Sequence, residues 1–445
     1  MLPGVGIFGT GPLAKVIATV LKDCGFTIAA VWSRALKDAE IFAKELDIPI
    51  YTNKVDGLLL KPEVGCVVIL CTPHLQSPIA VKALGIGKHV IATWPAGTSQ
   101  LEVLKMVKGA TYYPSLLSIM CHGLRFLPAY IIMKQQILWG KIGDLQLFEV
   151  RIHRQKKAAK YSWRCDGLMG GGALSLHGSY IIDIITFLSD KKAHSVNGMV
   201  KTYAEGGGDI QGVREVTCDD FCTFQMELGS VSVSCTINTH VDSEHSHEVI
   251  AVGSKGKLVV KDLDLYIKLK EESDERLLHK ETIDVDSNSK TSSSMTDALE
   301  VGRVPFTIGL EKTLKAIANA FKAVEDVHGW SSDLIADRST FNDALYVQTV
   351  IDCIKISSKT KQWVSVNVLE EEPDPNPHLS SAEKFVLYLY TVGTELYSEV
   401  ADGTITAKIS SLELNAQFVL CSVGSVSHKL MSFYISYYIV NWSPC

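Results

Sequence analysis

Residues 5–14 read VGIFGTGPLA, and this stretch decides the fold of the N-terminal part of the chain. The apolar run Val5–Phe8 predicts a strand, and the helical periodicity after it predicts a helix over residues 12–24. Between them, Gly9 permits a tight turn and Gly11 lets backbone amides approach a pyrophosphate at the helix N-terminus. The stretch therefore predicts a dinucleotide-binding turn. Its predicted cofactor-binding residues are Gly9, Thr10, Gly11, Pro12 and Leu13.

The second predicted strand, Ile28–Trp32, is followed by Ser33 and Arg34. An NAD site usually places an acidic residue here to bind the ribose hydroxyls, and a carboxylate would repel a 2′-phosphate. Ser33 and Arg34 instead suit a 2′-phosphate, through a hydrogen bond and a charge-assisted contact. The pair favours NADP over NAD.

Beyond this turn, short apolar strands alternate with helical segments as far as residue 122. Such alternation predicts a doubly wound parallel sheet, a Rossmann domain over residues 1–122. Further strands are predicted at 50–51, 66–71, 89–92 and 116–121.

The pattern changes after residue 122. Residues 123–368 show strands joined by short turns and four helical segments, which predicts an α+β domain with a largely antiparallel, open sheet. The polar segment 284–296 predicts a loop. Residues 369–445 form a predicted linker and an extension without an assigned function, with three prolines at 373–377 and an aromatic run at 430–442 that is too short to span a bilayer.

Composition excludes several functions. The chain has 445 residues, 47% of them hydrophobic, and a formal net charge of −6, so no basic excess suggests nucleic-acid binding. No run approaches the length of a membrane-spanning helix. The eleven cysteines include no C-x-x-C pair and are expected to be reduced and mostly buried. Metal-like spacing occurs only around His240, Glu244, His245 and His247, where chance surface placement is the better interpretation, so no metal is predicted.

The order of motifs resembles the glucose–fructose oxidoreductase / inositol dehydrogenase / MocA superfamily, and most closely the animal glucose-fructose oxidoreductase domain-containing proteins. The resemblance spans about residues 3–368. The blocks that carry it are Gly9–Ala14, Cys71–His74, Gly87–Ile91, Arg125–Pro128, Gly170–Asp183 and Asp219–Met226.

This resemblance implies further cofactor contacts along the carboxyl edge of the parallel sheet. His74 ends one predicted strand, and residues 94–95 follow another. The implied contacts are Cys71, Thr72, Pro73, His74, Trp94, Pro95 and Arg125.

The resemblance also implies which residues are catalytic. At some of these positions the chain differs from the family. Family enzymes carry a lysine at the position of Trp94, whose N–H can only donate. Many members carry Asp and His where this chain has Leu176 and Tyr180. In one branch a tyrosine acts as acid or base at the position of Tyr180. The predicted catalytic residues are Tyr180, Asp183 one helical turn later, and His122 at a strand end.

Two hypotheses follow. The first is an NADP-dependent oxidoreductase that transfers hydride to or from a sugar- or polyol-like carbonyl compound. The second is a non-catalytic NADP-binding sensor or scaffold, motivated by Trp94 and Leu176. The resemblance also implies a homodimer formed through the outer face of the second sheet, on the expectation that this face is apolar. The N-terminal stretch predicts a cytoplasmic protein; some relatives are described as secreted, which is the alternative.

Overall fold

The computed structural model describes residues 2–154, 162–204, 215–240, 245–281, 304–326 and 329–370, together with short strands at 400–401, 404–407 and 416–419. The chain forms two units, Met1–Glu371 and Glu372–Cys445. Three predicted features lie outside the described residues: the polar loop 284–296, the proline-rich 373–377 and the aromatic run 430–442.

The first unit contains a seven-stranded sheet in the order β15-β6-β5-β4-β1-β2-β3. Strands β1 to β6 are parallel. β1, β2, β4 and β5 are buried along their whole length, as expected for a sheet covered on both faces. The strands are β1 Val5–Phe8, β2 Ile28–Trp32, β3 Ile50–Thr52, β4 Cys66–Ile69, β5 His89–Thr93, β6 Ser118–Cys121 and β15 Ser339–Thr340.

Helices connect these parallel strands. They are α1 Pro12–Asp23, α2 Leu36–Glu45, α3 Val55–Leu59, α4 Pro73–Gly85 and α5 Gln100–Tyr112. The chain builds the sheet outward from β1 in both directions, so a crevice opens between the carboxyl ends of β1 and β4, where such folds bind ligands. The predicted Rossmann domain is confirmed.

A nine-stranded sheet follows in the order β14-β13-β12-β11-β7-β10-β9-β8-β16, mostly antiparallel with one parallel pair, β7 and β10. This confirms the predicted α+β architecture. The strands are β7 Leu145–His153, β8 Ser195–Lys201, β9 Phe221–Leu228, β10 Val231–Asn238, β11 Ser246–Gly253, β12 Gly256–Lys261, β13 Asp264–Leu269, β14 Arg276–His279 and β16 Val364–Ser365.

Helices cover one face of this sheet, where Phe148, Val150 and Ile152 of β7 are buried. They are α6 Pro128–Leu138, α7 Ser179–Ser189 and α9 Phe341–Thr360, whereas α8 Val304–Lys322 packs against α1 and the turn Gly123–Phe126 on the side of the parallel sheet. A π-helical turn, Leu174–Gly178, runs directly into α7. The boundary at residue 122 stays a prediction, since the two sheets belong to one unit.

The outer face of the second sheet differs from the expectation. Its central strands present Glu149, Arg151, Ser234 and Glu248 outward, because alternate residues point to opposite faces. Leu147, Ile250 and Val252 share this face, so the outer face of these strands is mixed where an apolar face was expected. The homodimer itself stays a prediction.

One stretch, Gly167–Ser189, is long and apolar enough to resemble a membrane-spanning helix, but 78% of its most apolar window is buried inside the protein. The core helix of a folded domain passes the same test. In the second unit, β17 Val400–Ala401, β18 Thr404–Ala407 and β19 Ala416–Val419 form a three-stranded antiparallel sheet.

Candidate cofactor and substrate site

The turn between β1 and α1 has the geometry expected for binding a diphosphate. Gly9 has a positive φ of 128°, and a Cβ there would lie 3.1 Å from the Leu70 backbone, so glycine is required. Gly11 is the N-cap of α1, and a Cβ on it would meet nothing within 4 Å. The backbone at Gly11 therefore faces open space at the sheet edge.

The N-terminus of α1 supplies donors to this space. Pro12 occupies the first turn, and the Ala14 amide donates to Gly11 O at 2.9 Å. The N–H groups ahead of Ala14 have no acceptor within the helix, as at every helix N-terminus, and the helix dipole adds partial positive charge there. Together with Thr10 and Leu13, these residues fit the pyrophosphate of a dinucleotide.

Ser33 and Arg34 lie beside this turn. The Thr10 hydroxyl donates to Ser33 Oγ at 3.3 Å, and the Ser33 amide donates to Thr52 O at 3.2 Å. Ser33 is buried, whereas Arg34 is exposed. A hydroxyl and an exposed cation thus occupy the end of β2, the place where an adenosine ribose would lie.

The loop after β4 brings four more predicted residues to the same edge. Thr72 is the N-cap of α4 and Pro73 its first residue. Burial raises the pKa of the Cys71 thiol to about 12, so it stays protonated. Nδ1 of His74 is buried without a hydrogen-bond partner among the described residues. Such an atom fits a site that a bound polar group completes.

Trp94, His122 and Tyr180 form an aromatic cluster between the two sheets. Trp94 follows β5, His122 follows β6, and Tyr180 lies in the first turn of α7. Ring centroids are 6.0 Å apart for Trp94 and His122, 6.3 Å for Trp94 and Tyr180, and 5.0 Å for His122 and Tyr180. Nε1 of Trp94 is a buried donor with no acceptor in the described part of the chain. Beside it, Pro95 accepts a hydrogen bond from Gln76 at 2.8 Å.

The burial of Tyr180 fixes the protonation of its phenol. Burial raises the pKa of Tyr180 well above 10, the nearby Cys121 thiol adds to this, and the positive charges of Arg154 and Arg164 oppose it. The phenol is therefore protonated at neutral pH. In this form it is a hydrogen-bond donor, and burial makes the loss of its proton less favourable.

Asp183 belongs to a buried ion pair and does not face open space. Arg125 Nε and Nη2 donate to its two carboxylate oxygens, each at 2.7 Å, and Ser339 Oγ donates to Oδ1 at 3.0 Å. His122 Nε2 lies 3.3 Å from Asp183 Oδ2 and 3.2 Å from the Tyr180 carbonyl oxygen. Asp183 and His122 are completely buried.

The surroundings of Asp183 and His122 determine which of these two side chains is charged. Burial would raise the pKa of Asp183, but His122, Arg125 and the hydrogen bonds from Arg125 and Ser339 hold it below its ordinary value. Burial lowers the pKa of His122 to about 4, although Asp183 opposes this. At neutral pH the carboxylate is ionised and the imidazole is neutral.

The structure thus places the predicted residues in two groups. Those that follow β1, β2, β4 and β5 line the carboxyl edge of the parallel sheet, and Tyr180 joins them through Trp94 and His122. Arg125 and Asp183 bind one another beneath this edge, so the contact of Arg125 with cofactor and the catalytic role of Asp183 stay predictions.

The histidines with metal-like spacing are separate from this site. Nε2 of His247 lies 3.3 Å from the Tyr130 hydroxyl, and His245 lies 3.2 Å from Asp262. Glu244 is outside the described residues. No group of three potential metal ligands occurs in the described part of the chain.

Asp219 is a structural residue of this site that was not predicted individually from the sequence. Its backbone oxygen accepts from the Ala173 amide at 2.8 Å and its Oδ2 from the Leu174 amide at 2.7 Å, which caps the helix that carries Tyr180. A Cβ on Gly172 would lie 2.4 Å from Asp219 Oδ1, so glycine lets the two segments approach. No periodicity marks such a long-range cap.

Comparison with known proteins follows the same division. Residues 4–119 match a family model described as "Oxidoreductase family, NAD-binding Rossmann fold", and residues 130–259 match the "GFO/IDH/MocA C-terminal domain". Among solved structures, a levoglucosan dehydrogenase in complex with NADH and levoglucosan has a TM-score of 0.66 at 20% identity, covering 82% of this chain and 100% of its own. An aldose-aldose oxidoreductase from Caulobacter crescentus complexed with glycerol has a TM-score of 0.64 at 16% identity, covering 82% and 100%. These neighbours share the fold.

Curated relatives are more similar in sequence. Glucose-fructose oxidoreductase domain-containing protein 1 of Xenopus tropicalis is 43% identical over 379 residues, covering 85% of this chain and 96% of the relative. Glucose-fructose oxidoreductase domain-containing protein 2 of Homo sapiens is 38% identical over 384 residues, covering 86% and 98%. The chain therefore belongs to the Gfo/Idh/MocA family of NAD-binding oxidoreductases, and the resemblance found in its sequence is confirmed.

Proposed function

We propose that the protein is an NADP(H)-dependent oxidoreductase that reduces a sugar- or polyol-like carbonyl compound. The observation that carries this proposal is the Tyr180 phenol, protonated at neutral pH and packed against Trp94 and His122 at the carboxyl edge of the dinucleotide-binding sheet. Reduction of a carbonyl needs a proton donor, and the protonated phenol supplies an O–H group for that role.

The residues of the β1–α1 turn would hold the diphosphate, and Ser33 with Arg34 would hold the 2′-phosphate of the adenosine ribose. When bound, NADPH supplies the hydride. The preference for NADP over NAD is supported by Ser33 and Arg34 alone, since the levoglucosan dehydrogenase relative was solved with NADH.

The aromatic cluster would position the substrate and supply its proton. Tyr180 Oη donates the proton to the carbonyl oxygen. Nε1 of Trp94, a buried donor, orients the same molecule by a hydrogen bond. His122 acts as a positioning residue, because its Nε2 lies 3.2 Å from the Tyr180 carbonyl oxygen and its ring packs on the phenol.

A second function, a non-catalytic NADP-binding sensor or scaffold, is favoured by one observation. Trp94 fills a buried position beside Tyr180 with a side chain that carries no charge and accepts no proton. Loss of a positioned acid or base typically costs about 10²- to 10⁴-fold in rate. Under this alternative, binding of NADP(H) persists without turnover.

The substrate class, assembly and location belong to the same proposal. The names of two structural neighbours, which carry levoglucosan and glycerol, support a small polyhydroxylated substrate. We keep a homodimer and a cytoplasmic location, with secretion as the alternative. The location is supported by the cysteines of the described residues, which are all unbridged and mostly buried.

Turnover of NADPH by the purified full chain with a panel of aldoses, ketoses and their oxidised derivatives tests the proposal. We expect turnover in the wild type and a Tyr180→Phe variant that binds NADPH equally well but reacts about 10²- to 10⁴-fold more slowly. Equal rates in both would refute the role of Tyr180. Tight NADPH binding without turnover, together with turnover gained by Trp94→Lys, would establish the second function instead.

A further inference from the structure

Cys165 and Cys218 are distant in sequence but lie on two segments that run side by side. The Thr217 amide donates to Cys165 O at 3.0 Å, and the Gly167 amide donates to Thr217 Oγ1 at 3.0 Å. The Cys218 thiol donates to Arg164 O, with 3.0 Å between sulfur and oxygen. The side chain of Cys218 therefore points at the backbone that immediately precedes Cys165.

This contact limits the distance between the two cysteines. In a trans peptide the carbonyl oxygen lies about 2.8 Å from the next Cα, and here that Cα belongs to Cys165. The Cys218 sulfur is consequently within about 6 Å of the Cα of Cys165. A disulfide, in which the Cα atoms are about 4.4 to 6.8 Å apart, then requires the Cys218 side chain to turn from Arg164 O toward the neighbouring Cys165.

The two thiols have different access to solvent. Cys165 is partly exposed, whereas Cys218 is 8% exposed. Burial raises the pKa of Cys218 to about 12, and nearby acidic groups add to this. An external oxidant therefore meets Cys165 first, and Cys218 reacts second.

We propose that Cys165 and Cys218 are a redox modification site, in which a peroxide converts the two thiols into a reversible disulfide. The Cys165 sulfur attacks one peroxide oxygen, releases one water and becomes a sulfenic acid. The Cys218 sulfur then displaces the sulfenic hydroxyl, which leaves as a second water with the thiol proton. Two thiols lose two electrons and one peroxide gains them; a dithiol reverses the bond by exchange.

The disulfide would act on the helix that carries Tyr180. Arg164 O accepts from the Gly172 amide at 3.2 Å, and Asp219 caps Ala173 and Leu174. Each cysteine is thus next in sequence to a residue that holds the start of this helix. A disulfide would connect the segments that carry Arg164 and Asp219 and restrict local opening around Cys165. It would not contact the aromatic cluster. This inference does not depend on the proposed function.

Peptide mapping of the full chain tests the site. Reduced protein is treated with hydrogen peroxide, unfolded, alkylated with N-ethylmaleimide and digested. We expect a linked pair of peptides that contain Cys165 and Cys218, lost on dithiothreitol treatment and in both Cys165→Ser and Cys218→Ser. Cys24→Ser is the matched control, because Cys24 is also 8% exposed, and it should keep the link.

A second readout follows the segment itself. Trypsin cleaves after Arg164, which is exposed, and the disulfide should slow this cleavage about tenfold by reducing local opening. Cys165→Ser, at the partly exposed position, should remove the effect of peroxide even if Cys218→Ser does not fold. The proposal is overturned if both cysteines stay alkylated while other thiols oxidise, or if Cys165 proceeds to sulfinic acid with Cys218 unlinked.

Discussion

The guanidinium group of Arg125 donates two hydrogen bonds of 2.7 Å to the two carboxylate oxygens of Asp183, in a region where both side chains are buried. Arg125 precedes α6 and Asp183 lies within α7, so the pair fixes these elements below the carboxyl edge of the parallel sheet. Neither charge could be left alone there, because an unpaired buried charge costs several kcal/mol.

Removal of one partner tests the strength of this pair. We expect Arg125→Met to lower the free energy of unfolding by about 3 to 5 kcal/mol, because it leaves the Asp183 carboxylate buried with fewer donors. Glu40→Gln is the control: it breaks the exposed pair of Lys44 and Glu40, joined at 2.7 Å, and should cost at most about 1 kcal/mol. Urea denaturation measures both. A loss below about 1 kcal/mol for Arg125→Met would contradict a buried, mutually dependent pair.

Local and long-range features differ in how far the sequence could predict them. The turn at Gly9 and Gly11 was predictable because a strand end, two glycines and a helix start are adjacent in sequence. Arg125 and Asp183 were both selected, yet their pairing was not, since it depends on how α7 packs against the segment before α6. Ser339, which completes the pair, lies in the two-residue strand β15, which is too short to show a period.

The second sheet, too, could be predicted from the sequence only in part. Strands β7 and β10 alternate buried and exposed residues regularly, which is the pattern by which a sequence predicts half-buried strands. β14 has only four residues, which is too few to show a period, and its first two, Arg276 and Leu277, are both exposed. The positions of Arg154 and Arg164 relative to Tyr180 likewise come only from the fold.

The substitution Gly11→Val separates cofactor binding from stability. A side chain at Gly11 meets nothing within 4 Å and the residue has φ of −72°, so the variant should unfold within about 0.5 kcal/mol of the wild type. It should nevertheless abolish NADPH binding in calorimetry, because the side chain fills the space of the diphosphate. Gly9→Val is the contrasting control, expected to destabilise through its φ of 128°. Normal NADPH binding by Gly11→Val would refute this placement of the cofactor.

Arg34→Glu should change the choice of coenzyme. A charge-assisted contact contributes about 1.5 to 3 kcal/mol, so losing it should weaken NADPH binding about 10- to 100-fold relative to NADH. Exposed Lys37, in the first turn of α2, provides the control Lys37→Glu with the same change of charge. Competition calorimetry with both coenzymes gives the ratio. An unchanged ratio in Arg34→Glu would show that Arg34 does not face the 2′-phosphate.

The neutral His122 predicts a stability that falls in acid. Its folded pKa of about 4 lies below the ordinary 6.5, so between these values the unfolded chain binds a proton that the folded chain does not. Stability should therefore drop as pH falls from 6.5 to 4, by roughly 3 kcal/mol from this group. His122→Gln should flatten that part of the curve.

A second buried histidine serves as the comparison for His122. Burial also lowers the pKa of His247, to about 3, and His247→Gln should remove a separate part of the same slope. Urea titrations at several pH values resolve the two contributions. If His122→Gln keeps the full wild-type slope between pH 4 and 6.5, the imidazole is not buried in its neutral form.

Arg154 and Arg164 should hold the pKa of Tyr180 below the value that burial alone would give. Both charges lower this pKa in the structure, and the position that could hold a lysine beside the phenol holds Trp94. Arg154→Gln or Arg164→Gln should therefore each raise the pKa of Tyr180 further. Fluorinated tyrosine at position 180, which is more acidic than tyrosine, allows the titration to be followed by fluorine NMR before the protein unfolds. Arg151→Gln is the control, because it removes the same charge on the outer face of β7, away from the phenol, and should leave the titration of Tyr180 unchanged. If the pKa of Tyr180 falls or stays constant in Arg154→Gln and Arg164→Gln, neither guanidinium acts on this phenol.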